Sequence, residues 1–92
     1  MERLTPELRL PAVLDAAAAP ALVQELVALR GGALVLEAGE VSRLGGLCLQ
    51  ALLSAKATWA ADGQPFEIRN VSNELKETLV LCGAENLGNW AQ

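Results

Sequence analysis

The stretch Glu40-Val41-Ser42-Arg43-Leu44-Gly45-Gly46-Leu47-Cys48 holds the residues of this chain best placed for chemistry. Two adjacent glycines open a long apolar segment that reads as a helix, and free backbone donors at such a start can hold an anion. Neither phosphate-binding pattern is present, however: the chain has no Gly-x-x-x-x-Gly-Lys-Ser/Thr and no Gly-x-Gly-x-x-Gly. The glycines therefore read as a tight turn that permits close packing, and Gly46 is expected to lie so near a strand that a valine there would disrupt the helix start. Cys48 falls in the first turn, where the helix dipole favours a thiolate. A cysteine nucleophile needs a base beside it, and the chain has no histidine, so Cys48 reads as a core residue. Glu37 and Glu40 flank the loop and could form a carboxylate pair; they read as a solvated acidic rim. Ser42, beside Arg43, is the remaining candidate for modification, set against an ordinary role as a polar loop residue or cap.

Composition narrows the chemistry further. The absence of histidine removes the commonest general base and the commonest metal ligand together. Cys48 and Cys82 are too few and too far apart for a zinc site, and read as two buried thiols of a reducing compartment. With no triad and no metal cluster, the chain reads as a protein that is not an enzyme and needs no cofactor. Its formal charge is -4 and its seven Lys and Arg are scattered, which argues against a nucleic-acid footprint. No apolar run reaches the roughly 18 residues of a membrane span, and Glu2 and Arg3 precede too short an apolar stretch for a signal peptide. A soluble, cytoplasmic protein without membrane insertion is expected. The 92 residues suit one domain over 1–92, and with 52% hydrophobic but only 3% aromatic residues its core must be built from Leu, Val and Ala.

The elements that must hold the loop follow from periodicity and breakers. Residues 4–15 alternate in patches through Leu8, Leu10 and Ala12, and predict two short strands with Pro6 near an edge. Asp15 is placed as a helix N-cap. Leu22, Leu26 and Leu29, flanked by Val23, make one apolar stripe. Pro20 is tolerable only in the first turn, so the helix must start late or be distorted before it. Gly31 and Gly32 end it. Residues 33–38 read as a central strand buried on both faces. Gly39 to Gly46 read as a loop, and Leu47 to Ala60 as a second helix, apolar nearly all round and substantially buried, with Leu49, Leu52, Leu53 and the stem of Lys56 on its stripes. Asp62 and Gly63 turn the chain into a half-exposed strand at 64–69. Ser72 caps a third helix with Glu74 in its first turn; Leu75, Leu79 and Cys82 face the core, and Gly83 ends it. Leu87 and Trp90 are candidates to anchor a last short element. The prediction is an α/β domain of β-β-α-β-α-β-α order, a mixed sheet of four to five strands covered by three main helices.

Three stretches in this order resemble the STAS domain, the family of anti-sigma-factor antagonists. They are "LRLPAVLDAAAAPAL", in which a strand ending in Leu-Asp runs into a helix, "ALVLEAGEVSRLGGLCLQALL", and "GQPFEIRNVSNELKETLVLCG". The resemblance covers almost the whole chain and implies the same element order. The family's signature before its second helix is Asp, Ser or Thr, then Ser, Thr or Ala, then Gly-Leu-Gly, the first Ser or Thr accepting a phosphate from a partner kinase. Here the acidic position falls on Arg43, the acceptor on Leu44 and the next residue on Gly45. Gly46 and Leu47 match Gly-Leu, and Cys48 replaces the last glycine. The turn is kept and the acceptor lost; Ser42 lies two residues before the acceptor position.

The chain is also similar to small STAS proteins encoded with bacterial chemotaxis genes, most closely at "CLQALLSAKATWAADG". That resemblance implies a protein-interaction module of bacterial signal transduction. Its partner would be a signalling kinase or related regulator: a chemotaxis histidine kinase or an anti-sigma-type serine kinase. Binding would involve Glu40, Ser42, Arg43, Leu44, Gly45 and Gly46, without the usual phosphorylation switch. Leu44 either anchors that interface or folds inward as core. Other relatives are accessory subunits of lipid-transport ABC ATPase complexes, which is the alternative reading.

Overall fold

A computed structural model describes residues 5–84. Its elements are β1 (Glu7–Arg9), β2 (Val13–Leu14), α1 (Ala19–Ala28), β3 (Leu34–Glu37), β4 (Arg43–Leu44), α2 (Gly46–Ala61), β5 (Phe66–Arg69) and α3 (Asn73–Leu81). The α/β class with three main helices is the one expected, and the order differs from β-β-α-β-α-β-α by one added strand, β4. The strands form two groups: a three-stranded sheet in the order β1-β3-β5 and a separate pair, β2-β4. Every strand pairing among the described residues is parallel. The element unforeseen in the sequence is β4, which lies inside the expected loop 39–46.

The strand period of two sorts the sheet into two faces. Leu34 and Leu36 of β3 and Ile68 of β5 are buried in one cluster with Leu22 and Leu26 of α1, Leu52 of α2, and Leu75 and Leu79 of α3. The helices therefore cover the same face. On the other face the register aligns Glu7, Val35 and Glu67 in one row and Arg9, Glu37 and Arg69 in the next. Val35 is nonetheless buried, so β3 is covered on both sides as its apolar run predicts.

Each helix starts and stops where its residues require. The Asp15 carboxylate accepts the Ala18 N–H at 3.2 Å and caps a single 3-10 turn, Ala16–Ala18. The α-helix proper begins only at Ala19, with Pro20 in its first two positions, where no donor is missed. Leu22 and Leu26 face inward, Leu29 is half-buried and Val23 stays exposed. Gly31, at φ +106°, turns the chain out of the helix.

In α2 the inward stripe is Cys48, Leu52, Ala55 and Trp59, while Leu49, Leu53 and Lys56 are half-buried. Trp59 ties the far end of the helix to the α1–β3 connection, its indole N–H donating to the Gly32 carbonyl at 2.7 Å. Its ring leans on Phe66 at 5.5 Å between centroids.

Ser72 caps α3 by accepting the Leu75 N–H at 3.0 Å. Leu75 and Leu79 are buried as expected, but Cys82 is exposed. The helix ends at Leu81. Gly83, at φ +71°, then reverses the chain so that the Ala84 N–H reaches the Leu79 carbonyl at 2.7 Å. Ala84 takes the core position that the spacing had assigned to Cys82. Leu87 and Trp90 lie outside the described residues.

Candidate functional site

The segment from Ala38 to Gly46 joins the end of β3 to the start of α2, and it is fastened along its length. Ala38 and Val41 are buried and act as apolar pegs. The Ala38 N–H donates to the Arg69 carbonyl at 2.9 Å, and the Val41 N–H closes a turn onto the Ala38 carbonyl at 3.1 Å. The Ala12 carbonyl then receives three donors: the Ser42 N–H at 2.8 Å, the Arg43 N–H at 3.1 Å, and the Ser42 hydroxyl at 3.1 Å. Through these bonds Arg43 and Leu44 pair with Val13 and Leu14 as β4.

The two glycines differ. Gly45 is the N-cap, in extended backbone, and its N–H donates to the Leu14 carbonyl at 2.8 Å. A Cβ on Gly45 would stand 3.4 Å from the Leu14 oxygen and 3.7 Å from the Asp15 Cα. A Cβ on Gly46 would meet nothing within 4 Å, and its φ is not positive. The close approach expected at Gly46 therefore belongs to Gly45.

The predicted partner-facing residues separate by exposure. Arg43 is exposed, and among the described residues no carboxylate pairs with it. Glu40 is exposed and lies 3.6 Å from Arg9, a surface pair of small energetic weight. Ser42 is exposed, with its hydroxyl turned to the Ala12 carbonyl. Leu44 is half-buried and packs on the core beside Leu10, Leu14 and Leu75. Of the two readings of Leu44, its packing favours core.

Glu37 and Glu40 form no carboxylate pair. Glu37 accepts the Gly39 N–H at 2.9 Å and the Asn70 side-chain amide at 2.8 Å. Cys48 is fully buried, and its thiol donates to the Asp15 carbonyl at 3.3 Å. Burial pushes its pKa up, with the Asp15 charge adding to the rise. Cys48 is therefore a packed thiol: it bonds the Asp15 backbone carbonyl, and the Asp15 carboxylate is engaged in capping Ala18. Among the described residues no group of acidic and cysteine side chains could hold a metal ion.

One feature of the surface escaped the sequence. Leu47, the second residue of α2, is 60% exposed beside the loop, and Val23 and Val27 of α1 are exposed as well. With Ala51 and Ser54 they line an apolar groove of about 510 Å³ between α1 and α2. Small residues on the facing sides of the helices leave this space open. Arg30 closes its far end and is held by Asp62 through two hydrogen bonds, 2.9 and 3.2 Å. That bonding raises the Arg30 pKa and lowers that of Asp62. The sequence signal for the groove was the apolar residue on every side of α2, which implied burial without saying which side stays open.

No described helix is long and apolar enough to cross a membrane. A family model described as "Mlab, STAS domain" matches residues 1–89. No curated protein matches the chain.

Proposed function

The chain belongs to the STAS domain family, and from that premise we propose that it is a non-catalytic interaction module of bacterial signal transduction, acting in the cytoplasm. A STAS domain is a protein-interaction or regulatory module. The partner is a signalling kinase, with the chemotaxis histidine kinase as the first to test and an anti-sigma-type serine kinase as the second. The observation that carries this reading is Arg43: an exposed guanidinium with no carboxylate partner among the described residues, on a loop fastened at both ends. A preformed cationic point of this kind can dock on an acidic patch without first ordering the loop. The residue after it, at the family's acceptor position, is Leu44, which has no hydroxyl and packs on the core. Binding here is therefore independent of phosphorylation at that position. Calorimetric titration of the purified chemotaxis histidine kinase with the parent chain and with Arg43→Glu tests the reading.

A second reading, an accessory subunit on a lipid-transport ABC ATPase, is favoured by one feature. Leu47 continues from the loop into the apolar groove between α1 and α2, and permanent interfaces are the more apolar ones. Co-purification with the ATPase and a change in its hydrolysis rate would support it over the kinase.

A further inference from the structure

We infer that Glu37 and Asn70 are the positioning pair of the loop's first half, locking it to the β5–α3 connection so that the turn carrying Glu40 is held in place before a partner arrives. This rests on reading that loop as the working surface.

Glu37 is the last residue of β3, on the sheet face turned away from the helices. In register it lies between Arg9 of β1 and Arg69 of β5. Two arginines in register beside one carboxylate would ordinarily claim it. Instead Arg9 pairs with Glu40 at 3.6 Å and Arg69 with Glu67 at 3.1 Å. Both oxygens of Glu37 are given to neutral donors that shape the loop: Oε2 to the Gly39 N–H at 2.9 Å and Oε1 to the Asn70 amide at 2.8 Å. Hydrogen bonds to an ionised acceptor are the stronger kind.

Asn70 is placed for this bond by its backbone. At φ +59° it is the only non-glycine residue with positive φ among the described residues, and asparagine is one of the few side chains that tolerate that conformation. Strain at such a residue persists where its surroundings hold it. Here they do, since the neighbouring Arg69 carbonyl also accepts the Ala38 N–H. Gly39 closes the arrangement: a Cβ there would stand 2.6 Å from Glu37 Oε2 and 3.6 Å from the Asn70 Cβ.

The second half of the loop has its own fastening, the three donors on the Ala12 carbonyl. The first half has Glu37, Asn70 and the Ala38 N–H, and it passes its position on through the Val41 N–H to the Ala38 carbonyl. Without the pair, the Ala38 N–H bond and the buried Ala38 and Val41 remain, and Gly39 and Glu40 between them lose their side-chain hold.

The test is residue-resolved amide hydrogen exchange on the full chain, without any partner. Two variants are compared with the parent, Glu37→Ala and Asn70→Gly. The first removes both acceptor oxygens. The second removes the side-chain amide and keeps a backbone that glycine adopts freely, so it reports even if Glu37→Ala fails to fold. Exchange at Gly39 and Val41 should speed up tenfold or more, with Leu36 in the central strand and Leu52 in α2 at parental rates. Unchanged loop rates overturn the inference. So does a uniform rise at all four amides, which would make the pair a general stability contact. Kinase affinity bears on the proposed function alone: a loosened loop with undiminished binding leaves the positioning pair standing and removes the loop as the working surface.

Discussion

The Leu14 carbonyl accepts the Gly45 N–H at 2.8 Å and would stand 3.4 Å from the first side-chain atom of any other residue at that position. A Cβ alone fits there at van der Waals distance, and it is the two further methyls of a valine that crowd the backbone of Leu14 and Asp15. Gly46, one residue later, is open to solvent on that side.

Valine at these two positions should therefore behave differently. Gly45→Val should destabilise the fold by about 1–3 kcal/mol, the usual range for overpacking. Gly46→Val, in the first turn of α2, should cost under about 1 kcal/mol or be neutral, because valine has the higher helix propensity. Denaturant midpoints for the two single variants measure the difference. Equal losses would mean that β2 yields to the added side chain.

What could be read from the sequence was what local chemistry fixes. Asp15 and Ser72 cap the turns they precede, Pro20 delays its helix, and Gly31 and Gly83 take left-handed backbone. The misplaced features depend on distant partners. β4 is two residues with no alternation of its own, made a strand by carbonyls of residues 12 and 14. The inward side of α2 was hidden because Leu47 and Cys48 are both apolar, yet one is 60% exposed and the other fully buried. Cys82 kept the helical spacing of core residues beyond the point where the helix ended. The bond from Glu37 to Asn70 spans 33 positions and leaves no periodic trace.

Cys48 should prove structural. Cys48→Ala removes a fully buried sulfur and its bond to the Asp15 carbonyl, at a cost of about 1–2 kcal/mol. The pKa of Cys48 is raised in the fold by burial. Below the ordinary thiol value, about 8.5, folded and unfolded thiols are both protonated and the contribution of Cys48 is complete. As pH rises from there towards the raised folded value, the unfolded thiol ionises first and stability falls. The parent should therefore lose more stability than Cys48→Ala between neutral and alkaline pH, with Cys82 common to both. Parallel pH curves would show that Cys48 ionises as freely in the fold as outside it.

No phosphate should appear on residues 43 to 45, which carry no hydroxyl. Ser42 should also resist a serine kinase, since its hydroxyl donates to the Ala12 carbonyl within a loop fastened by its own backbone. Intact-mass analysis after incubation with candidate serine kinases checks this. One phosphate gained in full and mapped to Ser42 would mean that the switch has moved by two residues.

The working surface is best tested through Arg43 alone. A paired reversal of Arg43 and Leu44 would confuse binding with folding, because Leu44 packs on the core. Leu44→Asp should cost about 2–4 kcal/mol of stability by placing a carboxylate in that contact. Arg43→Glu should leave the denaturation midpoint unchanged, since the side chain is exposed and no carboxylate among the described residues pairs with it. Against the chemotaxis histidine kinase it should weaken affinity tenfold or more, or about 1.4 kcal/mol. The loss should shrink at high salt if the contact is one of charge. Leu47→Ser separates the two candidate partners. Leu47 lies at the mouth of the apolar groove, 60% exposed, so its loss should matter most to an apolar, permanent interface. A folded Arg43→Glu that binds the kinase like the parent, together with a Leu47→Ser that no longer co-purifies with the ATPase, would move the working surface from the loop to the groove.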